Sequence, residues 1–103
     1  PEQSRLANLV LSQRGKLAKM RDAFARDPEL ASLAFCLRVA VILHRSRRNL
    51  KLPPLGAARR GRELRLSLGR GWLEDHGLVA IALEAERGEW ESVGLSFELA
   101  EDL

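Results

Sequence analysis

The chain has 103 residues, of which 46% are hydrophobic and 30% charged. That size and balance fit one small domain or a piece of a larger protein, and exclude several independent cores, disorder and fibrous repeats. Net charge is only +3, but residues 1–70 hold 16 Lys or Arg against 5 Asp or Glu, whereas residues 71–103 hold one Arg against 9 acids.

In chain order, Leu6, Leu9 and Val10 recur at helical spacing from about residue 2 to 11, and Gln13-Arg14-Gly15-Lys16 reads as a polar break. Met20, Ala23 and Phe24 predict a short second helix. Asp27-Pro28-Glu29 is a helix start: Asp caps free amides, Pro suits the first helical position, and Glu favours the positive helix end. The third helix is expected to run to about Arg47. Twelve of the fourteen residues 30–43 are apolar, too many for a helix with one wet face in so small a domain, so a partner subunit or a missing domain is expected to cover its second side. The run is also too short for a bilayer, which needs about 18 apolar residues.

Leu52-Pro53-Pro54 ends the helical part, because Pro lacks an amide donor and disfavours helix in the residue before it. This is the expected domain boundary, dividing residues 1–52 from 53–103. Leu64, Leu66 and Leu68 alternate with polar residues as a half-buried strand. Arg60-Gly61-Arg62 predicts a hairpin turn joining it to a weaker strand over residues 55–59, and Gly69 and Gly71 stop it. Residues 78–91 are helical in pattern, with Ile81, Leu83 and Trp90 apolar, although Gly88 inside costs about 1 kcal/mol against Ala. Leu95, Phe97 and Leu99 alternate as a last strand. The fold class is α+β: helices, then strand, strand, helix, strand.

The lone Cys36 cannot form an internal disulfide. Its apolar neighbours predict a small core side chain in a reducing compartment, with the cytoplasm as the default. Pro1 stands where an initiator Met would, and no signal-like segment opens the chain, so a trimmed fragment is expected.

Catalytic signatures are absent. Gly15-Lys16 lacks the upstream Gly and following Ser or Thr of a phosphate loop. His44 and His76 are the only histidines and no Cys pair exists, so no metal site is expected. Asp75-His76 reads as a capping turn. Glu84, Glu86, Glu89 and Glu91 read as a solvated helix face rather than a carboxylate pair for acid-base work.

What survives is basic. Residues 38–70 carry ten Lys or Arg against Glu63 alone, a positive field that would attract nucleic acid, an acidic lipid surface or a phosphate polymer, or would dock on the acidic residues 71–103 or a missing domain. Arg38 and Arg45 share a helix face, with Arg47, Arg48 and Lys51 beyond, where the negative helix end also favours cations. Arg supplies planar paired donors suited to phosphate. The chain has no Tyr, and its three Phe and two Trp are scattered, which supports few stacking platforms for single-stranded nucleic acid.

The strings LRVAVILHRSR at 37–47, the Pro pair at 53 and 54, GWLEDHGLVAIALEAERGEWESVG at 71–94 and EQSRLANLVLSQRGKL at 2–17 closely resemble the C-terminal part of the exopolyphosphatase and guanosine pentaphosphate phosphohydrolase family. The resemblance is collinear from about residue 2 to 99. It implies a non-catalytic fragment: the end of a helical third domain related to the His-Asp phosphohydrolase fold, then a small α+β fourth domain. Catalysis and magnesium binding would lie in N-terminal domains of the same polypeptide, leaving this chain with no catalytic residues and no cofactor of its own. The implied roles are homodimer formation and holding the polyphosphate chain. Arg14, Arg38, Arg45 and Arg47 fall on family-like basic positions and Gln13 where some members have His; with Lys16 and Arg48 these arginines are the expected polyphosphate-binding set. No membrane partner is expected. The rival readings are a nucleic-acid-binding module, suggested by the pI near 9.8, and a pure interaction domain without an anion site.

Overall fold

The computed structural model describes residues 2–13, 16–45 and 55–103. Arg14, Arg47, Arg48 and the proline pair at 53 and 54 lie outside the described residues. Among those described, four α-helices and a three-stranded mixed sheet make an α+β fold: α1 (Glu2–Leu11), a 3-10 turn (Ala18–Met20) leading into α2 (Arg21–Arg26), α3 (Pro28–Arg45), β1 (Leu55–Arg60), β2 (Glu63–Leu68), α4 (Gly77–Glu91) and β3 (Ser96–Ala100).

The start of α3 follows the expected chemistry. Pro28 opens the helix, where a missing amide hydrogen is harmless, and Asp27 Oδ1 accepts from the Leu30 amide at 3.3 Å. The same carboxylate receives Arg5 Nε at 2.9 Å and Nη2 at 3.0 Å, which ties α1 to the head of α3. The Arg5 hydrogen bonds hold the Asp27 carboxyl below its usual value, against a smaller opposing effect of desolvation.

β1 and β2 are antiparallel with Arg60 opposite Glu63, so Gly61 and Arg62 form a two-residue loop. Gly61 has φ +59°, as the first central position of such hairpin turns requires. β3 then pairs with β2 in parallel, giving the order β1-β2-β3. A parallel neighbour needs a long crossover, and α4 supplies it. The crossover helix stops at a Schellman motif: Leu95 N donates to Trp90 O at 3.0 Å and Gly94 N to Glu91 O at 3.0 Å, with Gly94 at φ +84°.

One hydrophobic core joins the helical and strand parts. Leu64, Leu66 and Leu68 of β2, Phe35 of α3, and Leu83 and Trp90 of α4 share a buried cluster with Leu17, Phe24, Leu30 and Phe97. Its aromatic centre is Trp90, stacked on Phe24 at 5.6 Å and met edge-on by Phe35 at 5.7 Å, while Phe35 also meets Phe97 edge-on at 5.3 Å. All three Phe are therefore core residues.

Two expectations are corrected. Cys36 is exposed, not in the core: at 100° per residue it falls on the side of α3 opposite Ala31 and Ala34, with Leu33, Leu37 and Ala40. The acids of α4 are not all solvated, since Glu86 is buried and Glu89 Oε1 accepts from the Leu17 amide at 2.7 Å. Glu86 occupies the inward row 79, 83, 86, 90 of its helix, so helical geometry carries it into the core and burial obliges it to find a cation.

Candidate anion-binding site

Of the expected polyphosphate-binding residues, Lys16, Arg38 and Arg45 are described. Lys16 is exposed just ahead of buried Leu17. Arg45 is exposed in the last turn of α3, where the carbonyl end of the helix favours a cation. Arg38, two turns earlier on the same helix, is turned inward.

Arg38 Nε and Nη2 each lie 2.7 Å from a Glu86 carboxylate oxygen, a paired contact between side chains only 11% and 9% exposed. Arg38 Nη1 donates to Ser12 O at 2.8 Å, and Trp90 Nε1 donates to Glu86 Oε1 at 3.2 Å. One guanidinium thus holds α4, α3 and the end of α1 together. Arg38 fulfils the docking alternative, a basic group of the first part received by an acid of the second. Arg65 does likewise, reaching Glu98 at 2.9 Å and Asp102 at 2.6 Å; its hydrogen bond holds the Asp102 carboxyl below the usual range.

Gln13, Arg38 and Arg45 do come together. With Val41, Ile42 and Glu86 they line a small cleft of about 170 Å³ between α3, α4 and the end of α1. Glu86 balances Arg38 inside it, while Arg45 has no carboxylate within ion-pair distance among the described residues. The chemistry available there is anion attraction through Arg45 and amide hydrogen bonding through Gln13, whose Nε2 donates to Ser12 Oγ at 3.0 Å.

No nucleophile and base are poised together at this cleft, and among the described residues no group of three His, Cys, Asp or Glu could hold a metal ion. Asp75-His76 is a turn before α4, but without the side-chain cap it was expected to supply. Its imidazole turns back instead, with Nδ1 2.7 Å from Trp72 O and the ring stacked on Trp72 at 3.9 Å. No helix among the described residues is long and apolar enough to cross a membrane.

Sequence reasoning passed over the opposite end of α3. There Arg21, Arg59 and Arg62 line a second cavity of about 280 Å³. Arg21 opens α2 while Arg59 and Arg62 belong to the β1–β2 hairpin, so only the packing of that hairpin beside α2 and the start of α3 makes them neighbours.

The fold and cleft define a small α+β domain whose polar interior is an arginine-carboxylate lock, with arginines gathered near each end of its longest helix. The family model for "Ppx/GppA phosphatase, domain III" matches residues 1–87, and the chain belongs to that family. The matched span runs from α1 into α4. No curated protein matches the chain.

Proposed function

We propose that this chain is the non-catalytic C-terminal part of an exopolyphosphatase-like hydrolase, a parent that removes terminal phosphate from polyphosphate or guanosine pentaphosphate. The match to domain III over residues 1–87 carries the reading. In it, residues 1–52 end a helical third domain of His-Asp phosphohydrolase type and residues 53–103 form the small α+β unit packed on it. Magnesium and the phosphate-cleaving groups belong to preceding domains, and the setting is cytoplasmic. This part holds polyphosphate through Arg45 and Lys16, to which the sequence adds Arg14, Arg47 and Arg48 as further cations, with Arg38 fixing the cleft wall, and it pairs with a second copy.

Binding of long-chain polyphosphate, measured over a salt series, tests the reading. Displacing condensed counterions makes affinity fall steeply with salt, and Arg45→Gln should flatten the slope by about one unit per lost phosphate contact, by analogy with nucleic acids. The unmodified chain should release no phosphate from the polymer in magnesium buffer. An unchanged slope in the Arg45 variant would remove the proposed phosphate track.

The Arg38–Glu86 pair favours one other reading, a pure interaction domain. Arg38 serves internal docking, and α3 offers an apolar face in which Leu33, Leu37 and Val41 are each about 40% exposed. A chain that binds no polyphosphate yet self-associates would select it.

A further inference from the structure

The cavity at the head of α3 has the attributes of a second anion site, and nothing in the reading above uses it. It is lined by Arg21, Arg59 and Arg62 together with Phe24, Pro28 and the Val93–Gly94–Leu95 turn, and no carboxylate lines it. Arg21 Nη2 donates to Ser92 O at 3.0 Å. Arg59 Nε donates to Gly61 O at 2.9 Å, and its Nη1 donates to Pro28 O and, at 3.2 Å, to Ser32 Oγ. The Arg62 side chain has neither a hydrogen-bond nor an ion-pair partner among the described residues. Two guanidiniums are thus fixed by neutral oxygens, which orient them without neutralising them, and the third is unengaged.

None of the three arginines has an ion-pair partner among the described residues. Asp27 and Glu29, the two carboxylates at the start of α3, both pair with Arg5 instead. Three like charges around one concave surface repel one another, and an oxyanion that bridges them relieves the repulsion. Guanidinium groups present forked donors matched to the oxygens of a phosphoryl group. A cavity of about 280 Å³ takes a short condensed phosphate, whose several charges answer three arginines better than one carboxylate would.

We propose that Arg21, Arg59 and Arg62 form a binding site for a short condensed-phosphate group. This site is separate from the cleft at Arg45. The 18 residues of α3 put its two ends about 25 Å apart, at 1.5 Å per residue.

The test is a titration of the unmodified chain with inorganic pyrophosphate at low salt, followed by amide chemical shifts, with Arg62→Gln and Arg45→Gln in parallel. Arg62→Gln is the informative variant, because the side chain supports no internal bond and the fold should be unaffected. Expected are saturable shifts at Gly61, Val93 and Gly94, about tenfold weaker affinity in Arg62→Gln through loss of a charge-assisted contact, and no change in Arg45→Gln. Equal affinity in the Arg62 variant, shifts confined to Gln13 and the end of α3, or no saturable shift would each overturn this site. Loss of long-polyphosphate binding in Arg45→Gln with the pyrophosphate shifts intact would uphold both sites. Unchanged polyphosphate binding in Arg45→Gln with those shifts intact would remove only the first.

Discussion

Arg38 and Glu86 show how one residue pair decides between function and structure. A buried ion pair carries a large desolvation cost, repaid only when the geometry is good and the remaining donors are satisfied. Here both carboxylate oxygens meet guanidinium nitrogens at 2.7 Å, and Ser12 O and Trp90 Nε1 complete the network. Removing one partner strands the other, so Glu86→Leu or Arg38→Met alone should each cost about 3 kcal/mol. The double variant should recover most of that loss, because apolar side chains of similar volume suit this row. Urea unfolding of the four proteins measures the coupling, and additive losses would contradict it. The basic character of Arg38 was legible in the sequence, but its partner was not, because 48 residues separate them and four acids on one helix read as a wet face. The stripe 79, 83, 86, 90 held the missing signal. A carboxylate in an apolar row of α4, facing an arginine in the apolar row of α3, is a pairing that periodicity alone can suggest.

At the scale of elements, helix ends and alternation made the fold readable. The Asp27-Pro28 start, the leucine alternation of β2 and the Gly61 hairpin all lie where local chemistry puts them, since capping, pleating and turn geometry act within a few residues. The parallel pairing of β3 with β2 was not readable, because register across a helical crossover depends on packing of α4. Two glycines separate these local and tertiary demands. Gly94 has φ +84° and closes the Schellman motif that aims β3, so Ala there should cost about 1–2 kcal/mol through left-handed strain. Gly88 is exposed within α4, and a Cβ there meets nothing within 4 Å. Gly88→Ala should stabilise by about 0.5–1 kcal/mol through the lost backbone freedom of the unfolded chain. Thermal midpoints moving in opposite directions would support this assignment, and a destabilised Gly88 variant would mean that another surface packs on that side of α4.

For the molecule as a whole, α3 is the axis on which the uncovered surfaces converge. Its inward rows are covered by β2 and α4, whereas Leu33, Cys36, Leu37 and Ala40 form an outward stripe. Cys36, Leu37 and Ala40 of this stripe, with Val41, Leu55 and Ala57, line an apolar groove of about 580 Å³ against the edge strand β1. Leu6, Val10, Leu78 and Ile81 are also exposed, on α1 and α4, but they are not the groove. Covering Leu33, Leu37, Val41 and Leu55 in each of two copies would contribute on the order of 5 kcal/mol before the cost of association. That is enough for a concentration-dependent dimer and too little for an obligate one. A second copy suits the groove because a two-fold interface needs one self-complementary patch, and α3 and β1 supply apolar residues on both of its sides. Sedimentation velocity over a range of protein concentrations should then show a monomer-dimer equilibrium. Leu37→Glu should shift it to monomer while leaving the unfolding midpoint at low concentration unchanged, since Leu37 lies outside the core cluster. If the unmodified chain sediments as a monomer throughout, the groove has another occupant, and the catalytic domains that the proposed function implies become the next one to test.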